Sequence, residues 1–164
     1  TYSSTIPFIG IHSIDLIRWC GGVEFNEVMA YQSNVGHPDV REMEDNAVVL
    51  LKMNNGGSAC VHLDYCRPMN APTWGDDLLR IAGNSGVIET FEQGSRVRLI
   101  TGKGGRGEEE LSLGKSADQF LNFVRAIDSQ EECEVPANDC FRLTEIVLKA
   151  KESALKGHPV KLVF

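Results

Sequence analysis

Two side chains near the start of the sequence have the types and the spacing for proton transfer. His12 and Asp15 are three positions apart in a segment of helical pattern, so both would project from one face of a helix. An imidazole has a pKa near neutrality, which makes it a common general acid or base. The same spacing also fits a buried histidine that is satisfied by one hydrogen bond, with Asp15 as its partner. The spacing alone leaves both interpretations open.

A second group of candidate residues follows a strand-like segment in the middle of the chain. Tyr65 and Arg67 are two positions apart, so on a strand they would share one face, and Trp74 follows shortly after them. Arginine can bind a carboxylate or a phosphate through two hydrogen bonds, and tyrosine can donate to a hydroxyl or carbonyl oxygen. The sequence therefore predicts that Tyr65, Arg67 and Trp74 bind substrate. The alternative is a surface arginine that pairs with Asp76 or Asp77.

Other histidine and glycine patterns are weaker signals. Cys60, His62 and Asp64 alternate along one predicted strand, but structural zinc sites usually draw their ligands from separate elements, so we predict no metal site. His37 lies in a predicted loop and is interpreted as a solvated side chain. The glycine-rich segment 102–107 lies between two predicted strands with no helix after it, which is not the setting of a phosphate-binding loop.

The composition indicates an acidic globular domain. The 164 residues include 16 basic and 23 acidic side chains, which give a net charge of −7. This charge provides no general attraction to nucleic acid or to an anionic membrane, and no apolar run approaches the ~20 residues of a membrane-spanning helix. The five cysteines are odd in number and include no C-x-x-C pair, so we interpret them as reduced thiols of a cytoplasmic protein.

Three helices are expected to position these residues. Apolar periodicity predicts helices over about 8–20, 117–129 and 139–156. The first has apolar residues nearly all around it, so we expect it to be buried on most sides. Ser116 has capping-box spacing for the second helix, and Gly157 is expected to end the third.

The rest of the chain is predicted to form strands joined by short turns. Because these links have hairpin length, the fold class is α+β, with a large, mostly antiparallel sheet that carries three helices on one face and is open on the other. The predicted strands lie near 24–36, 45–54, 57–67, 77–83, 86–92, 95–101, 108–113 and 160–163.

Several motifs resemble the second domain of one enzyme family. Residues 10–19 read Gly-x-His-x-Ile-Asp-Leu-x-x-Trp and are followed by Gly-Gly, which is similar to the start of the C-terminal domain of the Gfo/Idh/MocA (glucose-fructose oxidoreductase / inositol dehydrogenase) family. Segments 45–56 and 79–89 resemble strand motifs of the same family, and the tail from Phe120 to Val160 also matches. The resemblance covers nearly the whole chain and implies a fold like the C-terminal domain of glyceraldehyde-3-phosphate dehydrogenase.

The resemblance also implies that two domains have separate functions. In this family an N-terminal Rossmann domain binds NAD or NADP, and the C-terminal domain holds the substrate and often forms the oligomer interface. Residues 1–164 would be a single C-terminal substrate-binding and oligomerisation domain, with the Rossmann domain absent from the chain. The isolated chain would bind no cofactor and be inactive. The implied partners are a sugar, cyclitol or similar polyol and a second copy bound through the open sheet face.

The resemblance assigns a catalytic role to one histidine. His12 matches the histidine of the family's Asp-x-x-x-His pair and, followed by Asp15, would take or give a hydroxyl proton while a hydride moves to or from the cofactor. The family's aspartate, four positions earlier, falls on Phe8, which cannot ionise. This departure supports an alternative, a non-catalytic oligomerisation or sugar-sensing domain of the same fold.

Overall fold

The computed structural model describes residues 4–40, 43–102, 104–128 and 131–163. These residues form helices and antiparallel strands, which confirms the predicted α+β class. The chain divides into two compact units. The first unit contains Thr1–Cys66 and Val135–Phe164, and the second unit contains Arg67–Glu134.

The first unit contains a four-stranded antiparallel sheet with the order β3-β2-β1-β8. A hairpin turn joins β2 to β3, as the Asn-Asn-Gly-Gly sequence predicts: the N–H of Met53 donates to the carbonyl oxygen of Gly57 over 2.9 Å, and Gly56 has a φ of 89°. The strands are β1 (Phe25–Ser33), β2 (Asn46–Met53), β3 (Ser58–Asp64) and β8 (Val160–Lys161).

Helices cover one face of this first sheet and leave the other open. A π-helical segment, Ile6–Gly10, continues into α1, Ile11–Gly21, and the long helix α3 spans Ala137–Lys156. On the open face Tyr31 is 60% exposed and Leu50 is 44% exposed. The covered face and the helices share the core: Ile6, Ile14, Val28, Ala30, Ala47, Val49, Leu51, Val61, Leu63, Leu143, Ile146, Val147 and Ala150 are all buried.

The second unit contains a four-stranded antiparallel sheet with the order β4-β5-β6-β7, and one helix. The strands are β4 (Leu79–Ala82), β5 (Gly86–Phe91), β6 (Arg96–Thr101) and β7 (Glu108–Leu111), and α2 spans Gln119–Ile127. None of the described strand residues in this sheet is fully buried. The unit therefore has a much smaller core than the first unit.

The two faces of the second sheet differ in chemistry. On one face, cross-strand ion pairs join Glu89 to Arg98 over 2.6 Å and Arg96 to Glu110 over 2.7 Å. The ring of Phe91 lies beneath Arg96, with the guanidinium carbon 4.7 Å from the ring centre. The opposite face is mostly apolar and half-buried, although Thr90 and Glu109 also lie on it. Its apolar residues in register include Leu79, Ile81, Ile88, Val97, Leu99 and Leu111.

The structure corrects the predicted arrangement of the strands. All eight predicted strands form, but they divide into two sheets of four rather than one large sheet. The division follows β3, where the proline-containing segment 65–78 carries no strand. Two helices, α1 and α3, contribute to the core of the first unit, whereas α2 belongs to the second unit. The prediction of three helices on one sheet face was therefore wrong in this detail.

Two details of the helices also differ from expectation. The second helix is capped by Asp118, whose carboxylate accepts the N–H of Leu121 over 3.0 Å, and not by Ser116. The apolar side chains of α2 are exposed, with Phe120 at 75%. The third helix ends as predicted, because Gly157 adopts a left-handed conformation with a φ of 72°. Within the described ranges, none of the helices has the length and apolar character needed to cross a membrane.

Candidate functional site

His12 and Asp15 both lie on α1, but they do not form a pair. His12 is the second residue of the helix and is exposed, whereas Asp15 is half-buried. Within the described part of the chain, neither side chain makes a hydrogen bond or an ion pair. His12 is therefore not the enclosed, hydrogen-bonded histidine of the structural interpretation. It is also not oriented by Asp15, as the acid–base interpretation expected.

Exposed apolar side chains surround His12 at helical spacing. Phe8 lies one turn before it and is 60% exposed, and Leu16 lies one turn after it and is 41% exposed. Trp19, a further turn along, is 75% exposed. These values correct the expectation that the first helix is buried on most sides. One face of α1 is buried through Ile14, and the face that carries His12 is solvent-accessible.

Ion pairs fix the far end of α1. The guanidinium of Arg18 donates from Nη2 to Glu24 over 2.7 Å and to Asp139 at the start of α3 over 3.0 Å. Arg142 donates to the same Glu24 carboxylate over 2.8 Å. The hydrogen bond from Arg18 lowers the pKa of Glu24, so this carboxylate stays charged. The network ties α1 to α3 and so holds the helix that carries His12.

Tyr65 lies one residue beyond the end of β3, and its main chain is fixed by Asp45. The N–H of Tyr65 donates to the carbonyl oxygen of Asp45 over 2.8 Å. The N–H of Asp45 in turn donates to the carbonyl oxygen of Ser33 at the end of β1, over 3.0 Å. One residue thus joins the ends of three neighbouring segments and sets where Tyr65 leaves the sheet.

The side chain of Asp45 is fully buried and accepts three hydrogen bonds. Its donors are the N–H of Val35 at 2.9 Å, the N–H of Gly36 at 2.6 Å and Nδ1 of His37 at 2.9 Å. The hydrogen bond from Val35, with those from His37 and Gly36, outweighs burial and lowers the pKa of Asp45 to about 2. Asp45 is therefore a buried carboxylate that remains charged at neutral pH.

Arg67 lies in the second unit, where its guanidinium is occupied by neighbouring groups. Nη1 lies 2.8 Å from the carboxylate of Asp76, and Nη2 and Nε donate to the hydroxyl and carbonyl of Thr73 over 2.7 and 3.0 Å. The pairing with Asp76 is the alternative that the sequence left open for this arginine. A ligand carboxylate would therefore compete with Asp76 for the guanidinium.

A cleft of about 390 Å³ lies beside Arg67 in the second unit. One wall is formed by Arg67, Thr73, Gly75, Asp76 and Leu78, and the other by Glu92 and Gln93 in the turn between β5 and β6. Both turn residues have a positive φ, 53° and 57°, a conformation that non-glycine residues rarely adopt. The side chain of Gln93 donates to the carbonyl oxygen of Gly75 over 2.7 Å, which fixes the turn against the other wall of the cleft.

The structure corrects the predicted relation between Tyr65 and Arg67. Because β3 ends at Asp64, the two residues do not share a strand face, and they belong to different units. Trp74 lies next to the cleft-lining residues Thr73 and Gly75 in sequence and is 94% exposed. Of the predicted substrate residues, Tyr65 therefore belongs to the first unit, and Arg67 and Trp74 belong to the second unit.

Sequence reasoning missed the role of His37. It is held by Asp45 and is not simply solvated, although its side chain remains 41% exposed. The signal was an Asn-x-Gly-His segment shortly before an aspartate, since Asn34 and Asp45 both bond into this loop. Spacing alone did not identify the pairing, because the aspartate lies eight positions after the histidine, a separation that is typical of neither a helix turn nor a strand face.

The described residues contain no dinucleotide-binding turn. A dinucleotide-binding unit places a glycine-rich turn between a strand and a helix of a parallel βαβ motif. Here every described strand pair is antiparallel, and the segment 102–107 connects β6 to β7. Among the described residues, no cluster of three or more histidine, cysteine or acidic side chains could hold a metal ion.

Comparisons with known proteins place the chain in a family. Residues 3–89 match the family described as GFO/IDH/MocA C-terminal domain. A candidate oxidoreductase from Thermotoga maritima is 37% identical and superposes with a TM-score of 0.92 over 99% of this chain and 48% of that chain. No curated protein matches the sequence at a significant level.

More distant solved structures share the fold. An oxidoreductase from Agrobacterium radiobacter, in complex with NAD+, L-tartaric acid and magnesium, is 23% identical with a TM-score of 0.76, over 93% of this chain and 47% of that chain. An aldose-aldose oxidoreductase from Caulobacter crescentus, complexed with glycerol, is 21% identical with a TM-score of 0.76, over 93% and 46%. The chain thus spans about half the length of these structures. With the family match over residues 3–89, the chain is a member of the GFO/IDH/MocA family and corresponds to its C-terminal domain.

Proposed function

We propose that this chain is the substrate-binding and oligomerisation domain of an NAD- or NADP-dependent oxidoreductase that acts on a sugar, a cyclitol or a similar polyol. Family membership carries this proposal. Two structures of the same fold support it: the Agrobacterium oxidoreductase is complexed with NAD+ and L-tartaric acid, and the Caulobacter aldose-aldose oxidoreductase is complexed with glycerol. The cofactor would be bound by residues outside this sequence, because the described residues contain no dinucleotide-binding turn.

In this proposal His12 carries the substrate proton. Its imidazole is exposed and makes no hydrogen bond to another described residue, so both ring nitrogens are accessible to a bound hydroxyl group. Asp15, one turn along the same helix, contributes negative charge near the imidazole without bonding to it. The exposed apolar side chains of Phe8 and Leu16 would exclude water around the reacting hydroxyl once substrate is bound.

The remaining site residues would bind the substrate. Tyr65 has its main chain fixed by Asp45, which favours a defined position for the phenol. Arg67 lines the cleft of the second unit, and its bonds to Thr73 and Asp76 hold the cleft wall in place. Trp74, 94% exposed in the same segment, offers an aromatic surface on which the face of a sugar ring can pack.

The oligomer in this proposal is a homo-oligomer formed through open sheet faces. Half-buried apolar residues, among them Ile88 and Leu99, lie in register on one face of the second sheet. Such a face is stabilised when it packs against an identical face across a two-fold axis. A cytoplasmic location is part of the proposal, because all five cysteines are free thiols.

The test uses the complete protein, with this chain joined to its cofactor-binding part. Reduction of NAD+ or NADP+ is followed with a panel of sugars, cyclitols and small polyols. We expect His12→Ala to lower kcat by about 10²–10⁴, the usual contribution of general acid–base catalysis. Because His12 is exposed, the melting temperature should stay unchanged. His158→Ala is the matched control, since His158 is also exposed and lies after α3, and it should leave kcat unaltered.

The second candidate is a non-catalytic oligomerisation or sugar-sensing domain of the same fold. It is favoured by Phe8, which stands where the family's aspartate would be and is exposed beside His12. This candidate predicts that the complete protein binds a member of the panel by calorimetry and turns none of it over. Measurable turnover that survives His12→Ala would reject the proposed role of His12. By itself, the 164-residue chain should bind neither NAD(H) nor NADP(H) in calorimetry.

A further inference from the structure

His37 and Asp45 form a pair in which the carboxylate is hidden and the imidazole is accessible. The Asp45 side chain is fully buried, the His37 side chain is 41% exposed, and Nδ1 lies 2.9 Å from a carboxylate oxygen. The remaining bonds of the carboxylate come from the N–H groups of Val35 and Gly36. All of these residues belong to the first unit.

The chemistry of the pair determines which ring nitrogen is available. An ionised carboxylate only accepts hydrogen bonds, and the N–H groups around Asp45 keep it ionised at neutral pH. Nδ1 of His37 must therefore carry a proton and donate a hydrogen bond to Asp45. The lone pair of the neutral ring then lies on Nε2, which makes no hydrogen bond to any residue of the described ranges.

The position of the His37 ring is fixed from two sides. The side chain of Asn34 accepts the N–H of His37 over 3.1 Å and donates to its carbonyl oxygen over 2.7 Å. The ring itself is held by Asp45. An exposed histidine in a loop usually samples several rotamers, whereas here the main chain and the ring are both restrained. His12 has no such restraint within the described part of the chain.

The neighbouring groups disfavour an anionic ligand. Asp45 places a negative charge behind the ring, and partial desolvation, with Asp45 and Asp64, raises the pKa of the Cys66 thiol so that it stays neutral. An anion would be repelled by this charge, and a lone pair on Nε2 requires a proton donor. A hydroxyl group meets both conditions.

We propose that His37 and Asp45 form a second binding site in the first unit, in which Nε2 of His37 accepts a hydrogen bond from a hydroxyl group of a neutral small molecule. Asp45 is the positioning residue that fixes the tautomer and the ring orientation, as buried carboxylates do for histidines in catalytic sites. The proposal is independent of the role proposed for His12.

The first experiment measures the tautomer and the reactivity of each histidine in the 164-residue chain. Nitrogen-15 spectra at pH 8 should show a protonated Nδ1 and an unprotonated Nε2 for His37. Under the same conditions Nε2 should attack a carbonyl carbon of diethyl pyrocarbonate, forming a C–N bond and releasing ethyl carbonate. The rates at each histidine are read by mass spectrometry of the peptides.

His158 is the matched control, because its Nδ1 lies 3.0 Å from a carbonyl oxygen, a neutral acceptor. We expect His37 to react about tenfold faster than His158, and Asp45→Asn to remove this difference, because a carboxylate partner raises the basicity of an imidazole more than a neutral acceptor does. If Asp45→Asn does not fold, the comparison of His37 with His158 in the unaltered chain decides. Equal rates there, or a protonated Nε2 at His37, would overturn the proposal.

The second experiment tests the ligand class with glycerol and acetate as probes. Each is titrated into the chain while the Hε1 resonances of the histidines are followed at pH 8. We expect glycerol to shift the resonance of His37 and to leave that of His158 unmoved, and we expect acetate to shift neither. A shift of His37 with acetate, or the same shift at both histidines with glycerol, would contradict a site for neutral hydroxyl compounds. No shift of His37 with glycerol would also contradict it.

Discussion

The hydroxyl of Ser153 on α3 accepts a hydrogen bond from the N–H of Ala30 on β1, over 3.1 Å. Ala30 pairs with Val49 of β2, and both Ala30 and Ser153 are buried. The same hydroxyl donates to the carbonyl oxygen of His158 over 2.8 Å. One buried side chain thus fastens the longest helix to the first sheet and to the segment that follows the helix.

Ser153→Ala should destabilise the chain by ~1–3 kcal/mol, because it leaves the N–H of Ala30 buried without an acceptor. Urea unfolding measures this change as a lower midpoint at constant slope. Thr144→Ala is the control: the Thr144 hydroxyl donates to Cys140 within the same helix and is exposed. A loss as large for Thr144→Ala as for Ser153→Ala would contradict the importance of the buried hydrogen bond.

Glu24→Gln should lower the melting temperature more than Glu27→Gln does. Glu24 accepts hydrogen bonds from Arg18 and Arg142, and the Arg18 side chain is only 13% exposed. The Glu24→Gln variant therefore leaves the largely buried guanidinium of Arg18 with Asp139 as its remaining anionic partner. Glu27 pairs with Lys161, whose side chain is 70% exposed and whose charge can be solvated. Differential scanning calorimetry of both variants makes the comparison, and equal shifts would show that the network around Arg18 adds nothing.

Acid should remove the stabilisation that Asp45 provides. Its pKa falls from 3.8 to about 2 on folding, so the folded state binds its proton less readily than the unfolded state. The stabilisation is complete above an ordinary pKa of 3.8 and is lost as pH falls towards about 2. The difference in unfolding free energy between the unaltered chain and Asp45→Asn should therefore shrink between these two values.

Urea unfolding at a series of pH values measures this difference. Asp39→Asn is the control, because Asp39 is exposed in the same loop, and its difference from the unaltered chain should stay small at every pH. A gap between the unaltered chain and Asp45→Asn that does not change with pH would show that the Asp45 carboxylate is not the ionised acceptor.

Gly86→Ala should destabilise the second unit, whereas Gly83→Ala should not. A Cβ atom at Gly86 would clash with the carbonyl oxygen of Ile100 on the neighbouring strand, and that atom is main chain and cannot rotate away. Gly83, in the same hairpin, has no heavy atom within 4 Å of the corresponding position. Hydrogen exchange of residues 86–101 should accelerate in the first variant only. Unchanged exchange in Gly86→Ala would mean that the pairing of β5 with β6 adapts without cost.

Locally encoded features could be predicted from the sequence. The turn before Gly57 and the helix end at Gly157 depend on residues that lie within a few positions of each other and on glycines with positive φ at Gly56 and Gly157. All eight strands and all three helices follow from such short-range patterns. The sequence also suggested that Arg67 pairs with Asp76 or Asp77, because both aspartates follow it closely in the chain. In the structure the partner is Asp76.

Features that depend on contacts distant in sequence could not be predicted. Alternation of side chains gives the faces of a strand but not the number of strands in its sheet, so the division into two sheets was missed. Apolar residues on all sides of the first helix were taken as a sign of burial, yet Trp19 is exposed. The pair of His37 and Asp45 requires a loop conformation that no periodicity encodes.

The first sheet is completed by residues that are far apart along the chain. β8 pairs with β1 through Lys161 and Glu27, and the N–H of Leu162 donates to the carbonyl oxygen of Asn26 over 3.0 Å. During synthesis, the whole second unit leaves the ribosome before these last residues of the first unit exist. The edge of β1 that β8 covers therefore stays unpaired until β8 itself has been synthesised, and pairing across so long a separation is intrinsically slow.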